Sequence, residues 1–311
     1  MIEVCGLTKQ YGTHTAVDHL SFTMETGQIH GFLGPNGAGK STTMNMLTGC
    51  LAPTEGDVWL DGVNIFDEPE RIKGKIGYLP EIPPVYPEMT PREYLQFVAE
   101  LKGVNKKNLK AQVDYALEAT HITDMQNRLI GSLSKGYRQR VGISQAILGE
   151  PESIILDEPS VGLDPRQILQ IRSLITELGK HHTVILSSHI LSEIQAVCNH
   201  ITIIAKGKLI ACDTKAALEE QFARNHLELA VRAEESVVRQ ILKPVLGDQE
   251  LIFAQDGSFL TLRAECGKDP ELPEQVFAAF SKAGLPLHRL AMVEGSLEDL
   301  FLELTREGGS V

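Results

Sequence analysis

The run Gly34-Pro35-Asn36-Gly37-Ala38-Gly39-Lys40-Ser41-Thr42 constrains this 311-residue chain more than any other stretch. It fits the spacing G-x-x-x-x-G-K-[ST] of a phosphate-binding loop. The pattern has meaning only between a strand and a helix, and both are predicted here. Ile29 to Leu33 is a short apolar run of strand type, and Thr42 to Leu47 opens a helix. Gly34, Gly37 and Gly39 let backbone N–H groups turn toward phosphate oxygens. The helix N-terminus adds roughly half a positive charge at the same place. Lys40 can then reach the β- and γ-phosphates of a nucleotide, and the Ser41 hydroxyl can ligate Mg²⁺.

A phosphate loop alone does not say what is done with the nucleotide. Far downstream, the buried-strand run Ile154-Ile155-Leu156 ends in Asp157-Glu158-Pro159. Ligands of a parallel sheet sit beyond the carboxyl ends of its strands. Two acids there are costly unless a cation or a reaction needs them. Asp157 is the candidate to hold Mg²⁺, and Glu158 to orient or deprotonate an attacking water. Between loop and acids lies Leu133-Ser134-Lys135-Gly136-Tyr137, followed by helical periodicity through Ile143, Ile147 and Leu148. Ser134 caps that helix, and Gly136 permits close backbone approach, which makes a second candidate anion site. One γ-phosphate does not need two such sites from one chain, but two chains facing head to tail would supply one each.

With these residues in hand, the chain resembles the ATP-binding subunits of ABC transporters over about residues 1–215. Gly34 to Thr42 is similar to the family's Walker A motif and Ile154 to Glu158 to its Walker B. Leu133 to Tyr137 resembles its signature, with Lys135 and Tyr137 as departures. Ser160-Val161-Gly162-Leu163-Asp164 resembles its D-loop, and His189, after Ser187-Ser188, its switch histidine. Tyr11 is similar to the aromatic that stacks on adenine. Glu81 stands where the family usually has Gln, a residue that contacts the metal. The resemblance implies a P-loop cassette of mixed sheet and helical subdomain that hydrolyses ATP with Mg²⁺. Tyr11, Gly34, Asn36, Gly37, Gly39, Lys40, Ser41 and Thr42 would hold the nucleotide. Ser134 and Gly136 would contact the nucleotide of a second copy, or of a closely related subunit, in an ATP-sandwich dimer. Ser41, Asp157 and Glu81 would surround the metal, while Glu158 and His189 would act on the γ-phosphate.

Composition is compatible with that reading. The net charge of −12 opposes a nucleic-acid or anionic-lipid surface. No apolar run nears the length of a membrane span, so a separate transmembrane permease is the expected partner. Glu3 and Lys9 interrupt the opening, which is not expected to act as a leader. Cys5, Cys50, Cys198, Cys212 and Cys266 are far apart, which fits neither a metal site nor a disulfide framework and suggests a cytoplasmic location, peripheral to the membrane.

Organisation follows periodicity. Ile2 to Leu7, Leu20 to Met24 and Val58 to Leu60 are predicted as strands flanking the phosphate-loop strand. Arg92 to Leu101 and Leu109 to Ala119 are predicted as helices of an insert over about 82–148. The run of prolines from Pro80 to Pro91, with Val85, Tyr86 and Met89, is a candidate docking surface for a partner helix. From Ala216 to Val311 the chain carries nine basic and seventeen acidic residues, −8 of the total charge. That shift suggests a boundary near residue 217, with an accessory or regulatory domain over 218–311. Its strand, helix, strand, strand, helix, strand order is that of an α+β ferredoxin-like unit. A last helix is expected from Ser296 as cap, Asp299 three residues on, and the apolar face Leu297, Leu300, Phe301 and Leu304. This ending resembles the tails of export-type, gliding-motility-like ATPase subunits. The alternative class is a soluble ABC-type ATPase outside transport. Such a chain would usually carry tandem cassettes, a coiled-coil insert or zinc cysteines, and none is found here.

Overall fold

The computed structural model describes residues 1–222, 225–247, 249, 251–266, 269, 271–293, 297, 298 and 301. The chain opens with β1 (Ile2–Tyr11), β2 (His14–Met24) and β3 (Ile29–Leu33), then α1 (Lys40–Leu47). β4 (Glu55–Leu60), β5 (Val63–Asn64), α2 (Pro69–Lys73) and β6 (Ile76–Leu79) lead to three helices: α3 (Pro91–Leu101), α4 (Lys106–Ala119) and α5 (Lys135–Ile147). β7 (Ser153–Asp157), α6 (Pro165–Leu178), β8 (Thr183–Ser188), α7 (Leu191–Val197), β9 (His200–Ala205) and β10 (Lys208–Thr214) complete a first compact unit, Met1–Lys215. After α8 (Lys215–Phe222) come β11 (His226–Val231), α9 (Glu235–Leu246), β12 (Leu251–Asp256), β13 (Phe259–Glu265), α10 (Leu272–Lys282) and β14 (Leu287–Val293), within a second unit, Ala216–Glu303.

The first unit has two sheets. A six-stranded sheet runs β10-β9-β3-β8-β7-β6, parallel from β9 to β6, with β10 antiparallel at its edge. Its central strands β7 and β8 are buried along their whole length. That is the mark of a strand covered on both faces, and it explains their unbroken Ile, Leu and Val runs. Lys206 and Gly207, both at positive φ, make the tight turn into β10.

A second, antiparallel sheet runs β2-β1-β4-β5. Here the structure corrects the sequence. The strands expected to flank the phosphate-loop strand do not pair with it, since β8 and β9 are its neighbours. β2 buries alternate residues over most of its length, with Leu20, Phe22 and Met24 inward and Ser21 and Thr23 exposed. Such a strand covers a core from one side and belongs in an antiparallel layer. The two sheets meet through one apolar core, in which Phe22 and Phe32 rings lie 5.7 Å apart.

One polar pair is sealed into the parallel sheet. His30 on β3 is almost fully buried, with Nε2 2.7 Å from Thr202 Oγ1 on β9 and no partner at Nδ1. Burial, helped by the nearby His200 ring, pulls its pKa down to about 4.

The helical insert is fixed at both ends of α3. Thr90 and Glu93 form a reciprocal capping box at its start. Just past its end, Lys102 Nζ donates to the carbonyls of Gln145 (2.7 Å) and Leu148 (2.9 Å) and so closes the C-terminus of α5. In the second unit the sheet order is β12-β13-β11-β14, with every neighbouring pair antiparallel. That order, with α9 and α10 in the two crossovers, is the ferredoxin-like arrangement, closed over a core of Leu227, Leu229, Val238, Leu242, Val276 and Phe280. Ser296, Asp299, Leu300 and Leu304 of the expected last helix lie outside the described residues.

Candidate active site

The phosphate loop leaves β3 and enters α1 at Lys40. Gly39 sits at φ 100°, and a Cβ there would come within 2.5 Å of the Ala16 carbonyl oxygen. Both facts require glycine. Gly34 lies beneath the loop, where a Cβ would meet the Ile204 carbonyl oxygen at 2.5 Å. Lys40 is 6% exposed, and its Nζ donates to the carbonyls of Gly34 (2.9 Å) and Pro35 (3.2 Å).

The acids come from the carboxyl end of β7. Asp157 is buried and accepts from Ser187 Oγ at 2.5 Å, with the Ser41 hydroxyl close by. Burial pushes its carboxyl pKa above the usual value, and the hydroxyl partners only partly oppose this. Glu158 follows at φ 48°, a left-handed conformation uncommon outside glycine. It is 7% exposed and held from three sides. Its N–H donates to Ser187 Oγ at 2.9 Å, Lys40 Nζ lies 3.2 Å from Oε1, and His189 Nδ1 lies 2.8 Å from Oε2. An ionised carboxylate only accepts, so the Nδ1 of His189 is the donor in that contact.

Gly39, Lys40, Glu158 and His189 open onto one cavity of about 650 Å³. Tyr11, Asn36, Gly37, Gly39, Lys40, Ser41, Thr42, Glu81, Glu158 and His189 all line it. Tyr11 is half exposed, so its ring offers a free face at the rim. Gly34 and Asp157 do not line the cavity. His14 and Ala16 line it and were not singled out from the sequence, and Val161, of the D-loop-like run, lines it as well. His14 was legible in principle, because it pairs with Tyr11 across the β1–β2 hairpin.

Ser134 and Gly136 are not brought into this cavity. Ser134 is exposed and caps α5 through Tyr137 N–H at 3.4 Å. Gly136 is buried, and a Cβ there would run into the Gln167 side chain at 2.7 Å. Lys135 extends over Gly162, so these two adjoining loops pack on each other. Tyr137 donates to Asp124 at 3.1 Å.

Among the described residues no group of three or more His, Cys, Asp and Glu side chains could cage a metal. The donors present still fit Mg²⁺, which is ordinarily held by one or two protein oxygens together with substrate phosphates. Ser41 and Asp157 lie close to one another beside the loop.

A phosphate loop, a carboxylate at the end of the neighbouring-but-one parallel strand and a histidine at the end of the strand between define a nucleoside-triphosphatase cassette. Comparison narrows this. Residues 17–161 match the family described as ABC transporter. The chain is 36% identical to a bacitracin transport ATP-binding protein of Bacillus licheniformis, over 99% of this chain and 98% of that one. It is 33% identical to the protein of the same name from Enterococcus faecalis, over 99% and 97%. Among solved structures, the ATP-binding subunit of an ABC transporter superposes with a TM-score of 0.65 at 30% identity, covering 71% of this chain and 93% of that one. The chain belongs to the ABC transporter family, as an ATP-binding and ATP-hydrolysing subunit. No helix among the described residues is long and apolar enough to cross a membrane.

Proposed function

We propose that this chain binds Mg-ATP in the cavity beside Lys40, hydrolyses it with Glu158 as general base, and so energises an export-type permease. The observation that carries the reading is Glu158 itself, a buried carboxylate on a cavity wall fixed between Lys40 and His189. Lys40 and the backbone of Gly37 and Gly39 bind the phosphates, with Gly34, Asn36 and Thr42 completing the loop. Tyr11 offers its ring to the adenine, since a flat face gives contact area without base-specific hydrogen bonds. Ser41 and Asp157, with Glu81 close by, would hold Mg²⁺, which neutralises charge on the β- and γ-phosphates. Glu158 orients and deprotonates the attacking water. His189 fixes the rotamer of Glu158 and contacts the γ-phosphate.

Ser134 and Gly136 serve the cavity of a second copy, or of a closely related subunit, in a head-to-tail dimer. That neither lines the cavity of its own chain supports that role. The chain works on the inner face of the membrane through a separate permease. The proline-rich entry to the helical insert, with Val85, Tyr86 and Met89, is the docking surface for it, and Ile82 is exposed beside them. Residues 1–217 form the ATPase domain and 218–311 an accessory or regulatory one. The relatives named above match tail included, which supports export of a bacitracin-like peptide.

Glu158→Gln tests the assignment. It preserves size and removes the anion, so hydrolysis should fall by roughly 10²–10⁴-fold while ATP affinity persists and an ATP-bound dimer accumulates. Cells carrying it in place of the wild type should gain sensitivity to the exported peptide. Wild-type turnover by this variant, with Mg²⁺ and permease present, would overturn the role given to Glu158.

A further inference from the structure

Glu193 is a buried carboxylate that the chemistry above does not use. It lies in the first turn of α7 and is 5% exposed. A buried carboxylate is costly unless its oxygens are hydrogen-bonded. Here a single oxygen, Oε2, accepts two hydroxyls: Ser160 Oγ at 3.0 Å and Ser188 Oγ at 3.0 Å. Both serines are themselves buried.

The two donors come from different parts of the chain. Ser160 stands two residues beyond Glu158, on the loop that leaves β7. Ser188 ends β8 and immediately precedes His189. The parallel ladder between these strands stops at Asp157 and Ser187. Past that point Glu158 is anchored back to Ser187 through its N–H, and Val161 N–H bonds the Glu158 carbonyl at 3.1 Å. Ser188 Oγ also accepts the Ile190 N–H at 3.0 Å, so the hydroxyl bonded to Glu193 braces the backbone on the far side of His189. The Oε2 atom of Glu193 thus bridges the loop that carries Glu158 and the turn that carries His189.

We propose that Glu193 is a positioning residue for ATP hydrolysis: by holding Ser160 and Ser188 on one oxygen, it sets the separation of the Glu158 and His189 side chains. It touches neither nucleotide nor water, and its role rests on the catalytic reading of Glu158 given above. The physical requirement is narrow. The 2.8 Å contact between His189 and Glu158 survives only if the two loops keep their spacing. A misplacement of about 1 Å at a reacting group can cost on the order of 10²-fold in rate. Ten of the thirteen residues that line the nucleotide cavity lie on other segments, all but Glu158, Val161 and His189, so affinity should be insensitive to the bridge.

The experiment uses the full chain with its permease, measuring kcat and KM for Mg-ATP, equilibrium binding of a fluorescent ATP analogue, and Tm. Glu193→Ala should lower kcat by roughly 10–100-fold, with KM and affinity within about threefold. Glu193→Gln retains an amide oxygen able to accept both hydroxyls, so it should recover most of kcat. Ser160→Ala combined with Ser188→Ala removes both donors with little change in volume. It should reproduce the loss, and adding Glu193→Ala to that pair should cost little more. Unchanged kcat in Glu193→Ala overturns the proposal, as does a fall in affinity as large as the fall in kcat. If Glu193→Ala does not fold, the serine pair decides, and wild-type kcat in that pair overturns it. Glu158→Gln runs alongside. Should that variant keep turnover, the reading of the site has failed; should it lose turnover while Glu193→Ala does not, only the bridge has failed.

Discussion

Glu81 adds a carboxylate to the lining of the cavity that already carries Glu158. Like charges that share a site disfavour one another unless a cation offsets them. Glu81→Gln is therefore expected to bind Mg-ATP as well as the wild type or slightly better, by up to a few-fold. Glu81→Ala should impair permease-stimulated hydrolysis more than basal hydrolysis, because Glu81 adjoins exposed Ile82 at the proposed docking surface. ATPase rates of both variants, with and without permease, decide it; intact stimulation in Glu81→Ala would reduce the residue to a solvated loop acid. At this scale most of the site was legible in the sequence. Lys40, Ser41, Asp157, Glu158 and His189 sit in motifs whose spacing encodes their geometry. Glu193 was not, because its role depends on contacts between segments that no local pattern records. Glu193 in sequence is one acid among forty-one acidic residues.

Strands and helices follow local patterns, but their pairing does not. The helices over 91–101 and 106–119 were readable within a few residues, since their caps, Thr90 and Asn105, are local. The second unit was readable as well, because six alternating elements leave few ways to cover one sheet face. The division of the first unit into two sheets escaped the sequence: β2 and β3 are adjacent in order and both carry apolar residues, and only the partners decide which sheet each joins. β3 also carries a pH-dependent element. His30 has a folded pKa of about 4, while an unfolded histidine titrates near 6.5. Between those values the unfolded chain binds the proton and the folded chain does not. Stability should therefore fall as pH drops from about 6.5 to about 4, by about 1.4 kcal/mol per pH unit and on the order of 3 kcal/mol in all. His30→Gln should flatten that slope whatever it does to stability at neutral pH. Urea unfolding of both proteins at pH 7 and pH 5 would show it, and parallel slopes would rule it out.

At the scale of the molecule, each unit has its own apolar core. A chain ended near Lys215 should keep its fold and bind ATP with affinity within a few-fold of the full protein, because every cavity-lining residue precedes that point. Calorimetric titration would test this, and loss of affinity with the fold intact would assign the tail a direct part in nucleotide binding. The exposed position of Ser134, outside its own cavity, has a different kind of consequence. If each chain completes a site it does not own, a defect in that loop is inherited by the neighbour. A copy damaged at Ser134 would carry an intact pocket yet disable its companion's. A copy damaged at Glu158 would do the reverse. In a cell making both a healthy and a damaged version, the harm would spread beyond the damaged molecules, and such alleles would behave as dominant rather than recessive.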